Sequence, residues 1–223
     1  MYSIWILLFL SFLFLVILSI ILYLIFRTKE KLKNNEEDVL NKKQKTFKKT
    51  LEDMDDILNK NNIEFTLCCG TALGAYREHK FIEHDSDIDL HVYGIDKNLE
   101  KISKIITDSG KFTLLRFWPK DKPLRNASEI TLKHKETNIN VDIFKVIKRN
   151  HKYIHYNYGS LCDYKPNRRC EFENSIHKIN NINFMGRIYK IPEFKYIVET
   201  YGKDWDTPKK YSYEEGLKYH NPN

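Results

Sequence analysis

The 223-residue sequence contains only four cysteines, so few disulfide bonds are available to stabilise its fold. No C-x-x-C pair occurs, and the spacing of the cysteines gives no support for a structural zinc site. Cys68 and Cys69 are adjacent. A disulfide between Cys162 and Cys170 requires a lumenal or extracellular compartment, whereas free thiols fit the cytosol equally well. The cysteines therefore leave the compartment open.

The N-terminal part lacks charge. No Lys or Arg precedes the run from Ile4 to Phe26, which contains no charged residue. Such a run is long enough to cross a bilayer, and it differs from a cleaved signal peptide because it has no basic leading region. We therefore expect a single-pass membrane protein whose transmembrane anchor is residues 1–26. Arg27 and Lys29 follow the run directly, which favours a cytosolic position for the rest of the chain.

The net charge of +7 is concentrated in one segment. Residues 27–50 hold nine Lys or Arg and four Asp or Glu. This pattern predicts a charged juxtamembrane linker, residues 27–45, next to anionic lipid headgroups, and no nucleic-acid partner. The remaining residues, 46–223, are long enough to form one domain with a core of its own.

Periodicity predicts an α/β fold, with a mixed (α+β) sheet flanked by helices. Apolar residues recur at helical spacing from Phe47 to Asn59 and from Asn98 to Ser109. Strands are predicted by segments rich in β-branched and aromatic residues: Ile63–Cys69, Asp87–Leu90, Lys111–Trp118, Glu129–Lys133 and Ile139–Ile147. Residues 148–182 give no clear pattern, although basic residues alternate with tyrosines there.

Three aspartates are the candidate catalytic and metal-binding residues. Asp87 and Asp89 are two positions apart on a predicted strand, so their side chains project from the same face. Asp142 lies inside the most apolar predicted strand, where an unpaired carboxylate is costly. Carboxylate oxygens suit Mg²⁺ or Mn²⁺, which often bind substrate phosphates as well. The pattern predicts a metal-dependent phosphate site.

The segment before the aspartates is the candidate nucleotide-binding part. Gly70 and Thr71 join a predicted strand to a short helix, whose N-terminal N–H groups can bind an anion. Arg77 and Lys80 follow as cations that can pair with a phosphate. Asp85 is the last of the candidate nucleotide-binding residues. An ordinary glycine turn capped by Thr71 is the alternative.

The order of these motifs resembles the LicD and fukutin-related family. The family pattern is roughly G-T-L-L-G-A-x-R, then F-I-P-W-D-D-D-I-D, then an apolar residue followed by D-I-F. Here these segments are Gly70–Arg77, Phe81–Asp89 and Val141–Phe144. Residues Pro192–Pro208 resemble the closing pattern of the family. The resemblance covers about residues 46–210.

The resemblance implies a nucleotidyltransferase-like fold. It also implies transfer of a phospho-linked group, such as phosphocholine or a polyol phosphate, from a CDP-type nucleotide donor to a glycan or glycolipid acceptor. The metal-binding carboxylates of the family correspond to Asp87, Asp89 and Asp142. Eukaryotic members are generally Golgi proteins with a lumenal catalytic domain, and Asn126 begins a glycosylation sequon, so the orientation stays open between the lumen and the cytosol.

The sequence also departs from the family pattern. Cys69 stands where Gly or Ser is usual, Glu83-His84 replaces Pro-Trp, and Ser86 replaces the middle aspartate. None of these changes removes a predicted metal ligand. Two alternatives stay open: a D-x-D glycosyltransferase that uses nucleotide sugars, and a catalytically silent membrane-bound binding protein with the same fold.

Overall fold

The computed structural model describes residues 2–94, 96, 98–158 and 169–209. In these residues the helices are α1 (Tyr2–Lys60), α2 (Cys69–Arg77), α3 (Leu99–Asp108) and α4 (Lys195–Tyr201), with a 3₁₀ turn at Leu124–Asn126. The strands are β1 (Thr66–Leu67), β2 (Asp87–Tyr93), β3 (Phe112–Trp118), β4 (Glu129–His134), β5 (Asn140–Arg149), β6 (Lys152–Tyr158), β7 (Arg169–Ser175), β8 (Ile179–Phe184) and β9 (Arg187–Pro192).

The chain divides into two compact units, Met1–Lys43 and Gln44–Asn223. The first consists of the N-terminal part of α1, which contains residues 27–43 of the segment predicted as a charged linker, 27–45. The second contains the end of α1 and every other element.

The predicted single-pass membrane localisation and transmembrane helix require correction. Within the part of the chain that the structure describes, no helix is long and apolar enough to cross a membrane.

The second unit is built on a mixed sheet with the strand order β1-β2-β5-β4-β3. Strands β2 and β5 are parallel, and the other neighbours in this series are antiparallel. Beyond its pairing with β2, β5 continues into a hairpin with β6, which in turn pairs with β7. The predicted mixed sheet flanked by helices is therefore confirmed.

Burial of apolar side chains explains why these segments form a helix and strands. In α1, the stripe predicted from helical spacing is buried, and Phe47, Leu51 and Leu58 are at most 1% exposed. In the sheet, Ile88 of β2 and Val141 of β5 are fully buried. Because side chains alternate along a strand, the polar neighbours of these two residues point to the opposite face, where the candidate site lies.

The region that gave no clear sequence pattern, 148–182, contains β6, β7 and the start of β8. Its central residues, 159–168, include Cys162, Tyr164 and Arg168 and lie outside the described part of the chain. Strand β8 forms a separate hairpin with β9. The closing segment then provides α4, from which Tyr196 and Ile197 enter the core.

Candidate functional site

A row of polar residues crosses four neighbouring strands of the sheet. Asp89 of β2 is directly opposite Asp142 of β5, which is opposite Thr131 of β4. Thr131 is in turn opposite Arg116 of β3. Since residues in register share a face, two carboxylates, a hydroxyl and a guanidinium meet on one side of the sheet.

The three predicted aspartates come together at this row. One carboxylate oxygen from each of Asp87, Asp89 and Asp142 lies within 4.8 Å of the others. All three line a cavity of about 430 Å³. The other lining residues are Cys69, Arg116, Trp118, Glu129, Phe144, Asn157 and Tyr158. A cavity of this size is typical of small-ligand sites.

Three carboxyl groups of the cavity have raised pKa values. Burial raises the pKa of Asp142 to about 6, and the negative charge of Asp87 adds to the shift. Burial and neighbouring negative groups raise the pKa of Asp89 as well. Glu129, a fourth carboxyl group in the cavity, has its pKa raised to about 8 by burial and by Asp142. The site thus concentrates negative charge that a bound cation would stabilise.

Asp142 also has polar partners on the side away from Asp89. The Thr131 hydroxyl donates a hydrogen bond to Asp142 Oδ1. Arg116 donates from Nε to Thr131 Oγ1 at 2.9 Å, and one of its terminal nitrogens lies 3.6 Å from Asp142 Oδ2. The side chain of Arg116 is 45% exposed, so its guanidinium can also contact a ligand in the cavity.

Gly70 and Thr71 hold Asp89 in place. The Gly70 N–H donates to Asp89 Oδ2 at 3.2 Å, and the Asp89 N–H donates to Thr71 Oγ1 at 2.9 Å. A Cβ atom at Gly70 would lie 2.5 Å from Asp85 Oδ2, so a side chain here displaces that carboxyl group. These contacts give the glycine turn a positioning role. Direct contact of Gly70, Thr71 and Asp85 with a nucleotide stays a prediction.

Two predicted phosphate contacts lie elsewhere. Arg77, at the C-terminal end of α2, pairs with Glu78 at 2.7 Å and donates to the Trp205 carbonyl at 3.3 Å. Its side chain is 9% exposed. Lys80 is exposed. Neither residue lines the cavity described above, so the structure does not bring them to the aspartates, and their nucleotide contact remains untested.

The sequence did not single out Arg116, Glu129 or Thr131. Alternation is the signal that could have found them, because Glu129 and Thr131 are two apart on β4 and point to the same face. Their register with Asp142 depends on strand pairing between distant segments, which the sequence alone does not provide.

A comparison with protein families matches residues 62–193 to the model described as LicD/FKTN/FKRP, nucleotidyltransferase domain. This match covers more than half of the chain. The chain belongs to this family.

Relatives of this LicD/FKTN/FKRP domain include the uncharacterized protein T07A5.1 of Caenorhabditis elegans, with 35% identity over 103 residues. The matched part is 46% of this chain and 26% of that protein, so the chain spans about a quarter of its relative's length.

Solved structures with a similar arrangement include the lincomycin-bound lincosamide antibiotic adenylyltransferase LnuA. Its TM-score is 0.44 at 13% identity, over 76% of this chain and 95% of that chain. Another is ANT(2")-Ia in complex with adenylyl-2"-tobramycin, with a TM-score of 0.42 at 12% identity, over 78% of this chain and 86% of that chain.

The matched family model describes a nucleotidyltransferase domain. The family motifs Gly70–Arg77 and Phe81–Asp89 contribute α2 and the start of β2, and Val141–Phe144 lies within β5. The segments that carry the resemblance therefore surround the aspartate cluster.

Proposed function

We propose that the protein is a metal-dependent transferase that moves a phospho-linked group from a CDP-type nucleotide donor to a glycan acceptor. The observation that carries this proposal is the convergence of Asp87, Asp89 and Asp142 within 4.8 Å of one another in a cavity of about 430 Å³. The donor set is entirely carboxylate, which fits Mg²⁺ or Mn²⁺ and disfavours thiophilic ions.

The residues around the aspartates define the roles in this proposal. Asp87, Asp89 and Asp142 hold the cation, which supplies charge neutralisation at the donor diphosphate. Gly70 and Thr71 fix the position of Asp89 through the two hydrogen bonds described above.

Arg116 contributes the positive charge of the protein itself. Its hydrogen bond to Thr131 and its proximity to Asp142 orient the guanidinium at the cavity edge. A guanidinium held in this way can bind a phosphate oxygen with its remaining N–H groups. We assign it to the donor phosphate.

Aromatic rings also line a wall of the cavity. Trp118 and Tyr158 stack with their centroids 5.4 Å apart and an interplanar angle of 10°. The ammonium group of Lys120 lies 4.6 Å from the centre of the Trp118 ring. Flat aromatic faces beside a cation suit a nucleotide base next to its phosphates. This wall supports a nucleotide donor.

Calorimetric titration of the full chain with CDP, with and without Mg²⁺ or Mn²⁺, tests the proposal. We expect binding that requires the metal and that Asp89→Asn abolishes. Asp108→Asn is the matched control, because Asp108 is an exposed aspartate that pairs with Lys104 on α3.

Two outcomes would contradict the proposal. Equal CDP binding with and without metal would remove the metal from the mechanism. The absence of binding by a chain that circular dichroism shows to be folded would instead favour the silent binding protein, whose ligand must then be sought among other molecules.

A further inference from the structure

A second group of metal-ligating side chains lies next to the aspartates. The sulfur atoms of Cys68 and Cys69 and a ring nitrogen of His91 all lie within 4.8 Å of one another. Both cysteines are free thiols. Cys68 is fully buried and His91 is 2% exposed, whereas Cys69 lines the carboxylate cavity. The cluster is therefore reached from the cavity through Cys69.

The backbone brings the two adjacent thiols together. Successive side chains of an extended chain point in opposite directions, and Cys68 is extended, with φ −144° and ψ −178°. Cys69 has φ +44°, in the left-handed region, which costs a non-glycine residue about 1–2 kcal/mol. The Tyr196 hydroxyl accepts a hydrogen bond from the Cys69 N–H at 3.0 Å and stabilises this conformation.

His91 approaches the thiols from strand β2. It is two residues beyond Asp89, so its side chain projects from the face that carries the aspartates. Among the residues that the structure describes, neither ring nitrogen of His91 has a partner at normal hydrogen-bond geometry, and the Cys69 thiol is the polar group that approaches the ring. A buried polar group without a partner costs about 1–3 kcal/mol, and a bound ligand atom would offset that cost.

We propose that Cys68, Cys69 and His91 form a binding site for a thiophilic divalent cation of the Zn²⁺ type, separate from the carboxylate site. Zn²⁺ binds thiolate sulfur at about 2.3 Å and imidazole nitrogen at about 2.0 Å. Tetrahedral ligand atoms at these distances lie about 3.5–3.8 Å apart. The cluster needs to contract by only about 1 Å to reach this geometry from its 4.8 Å limit.

A fourth donor is close to the cluster. The ring of His155 on β6 is 3% exposed, and its centroid lies 4.8 Å from that of His91. Rotation of this ring would give two sulfur and two nitrogen ligands, a common zinc set. The two proposed sites then differ in their ligand atoms, because hard oxygen ligands select Mg²⁺ and soft sulfur ligands select Zn²⁺.

Absorption spectroscopy of the full chain with Co²⁺, in the presence of excess Mg²⁺, tests the proposal. Co²⁺ bound to thiolates gives a near-ultraviolet charge-transfer band that Co²⁺ bound to carboxylates lacks. We expect this band to saturate at one Co²⁺ per chain and to disappear when Zn²⁺ is added.

Cys69→Gly is the informative variant, since glycine adopts a positive φ without strain. It should stay folded by circular dichroism and lose the band. Asp87→Asn removes a carboxylate ligand and should keep the band, which separates this site from the proposed transferase site.

The proposal would be overturned by a folded full chain that gives no charge-transfer band. It would also be overturned by a band of equal intensity in Cys69→Gly. Neither of these results depends on nucleotide binding, so the failure of this site and the failure of the transferase site can be distinguished.

Discussion

Asp89 and Asp142 lie directly opposite each other on the parallel strands β2 and β5. In this arrangement two carboxylates share one face of the sheet, with Asp87 next to them. Like charges at such distances destabilise the folded state unless a cation lies between them. If the aspartates hold a metal ion as proposed, the pair should link the stability of the domain to metal binding.

Asp142→Asn should stabilise the metal-free protein and abolish its response to metal. The amide removes a negative charge, while its oxygen can still accept the hydrogen bond from Thr131. Because burial and Asp87 raise the pKa of Asp142 to about 6, the gain at neutral pH should be about 1–3 kcal/mol. Thermal unfolding with EDTA, and then with Mg²⁺ or Mn²⁺, measures both effects. A variant that still gains Tm with metal as the wild type does would rule out Asp142 as a ligand.

Arg116→Lys should weaken metal-dependent CDP binding about tenfold, equivalent to about 1.4 kcal/mol. An ammonium group cannot reproduce the simultaneous contacts of the guanidinium with Thr131 and Asp142. Calorimetry checks this, with Arg149→Lys as the control, because Arg149 has a similarly exposed side chain, 44% against 45%, and does not line the cavity. Equal losses of CDP affinity in the two variants would contradict a specific role of the Arg116 guanidinium.

The aspartates could be predicted from sequence because they depend on local rules. A D-x-D pair on a strand must share a face, and a carboxylate within the apolar segment of β5 requires a partner. The residues that pair with them could not be predicted in the same way, since Arg116 and Thr131 reach Asp142 through the register of β3, β4 and β5. That register depends on tertiary packing.

Helix geometry explains why Arg77 lies away from the aspartates. It is seven residues beyond Gly70 on α2, and at about 1.5 Å per residue this places it about 10 Å along the helix axis. At that end of α2 it contacts Glu78 and the Trp205 carbonyl. Proximity in the motif therefore did not predict proximity in space.

Gly74→Ala and Gly70→Ala should have different effects, although both glycines belong to α2. A Cβ atom at Gly74 would lie 2.7 Å from the backbone oxygen of Lys80. Since backbone cannot move as easily as a side chain, Gly74→Ala should destabilise the domain by about 1–3 kcal/mol. At Gly70 the new Cβ meets the end of the Asp85 side chain, which can rotate, so this variant should stay stable and lose CDP affinity. Urea unfolding and calorimetry on both variants separate the effects, and the reverse pattern would contradict this assignment.

The buried Asp53–His134 pair should make the domain sensitive to acid. His134 Nε2 donates to Asp53 Oδ2 at 3.1 Å, and Lys49 and Lys111 also pair with Asp53. The His134 ring accepts from the Thr137 N–H at 3.2 Å, which fixes the neutral form. Burial lowers the pKa of His134 below 6.5 in spite of Asp53, with Lys49 adding to the decrease and Glu136 opposing it.

The direction of the pH effect follows from these shifts. Because the unfolded chain binds the His134 proton more tightly, stability should fall as the pH decreases below about 6.5. For Asp53, burial raises the pKa, but the hydrogen bonds and charges of Lys111 and Lys49 outweigh it and leave the pKa below 3.8. Its contribution is therefore present above pH 3.8 and lost as the pH falls through the folded value.

Urea unfolding of the wild type and of His134→Gln between pH 8 and pH 3 measures the two steps. Glutamine can still donate to Asp53 and does not titrate, so the variant should lose the step below about pH 6.5 and keep the one at lower pH. His91 and His177 also have lowered pKa values, so the difference between the two proteins isolates His134. His84→Gln, at an exposed histidine, should follow the wild type. Identical curves for the wild type and His134→Gln would show that this pair does not control acid stability.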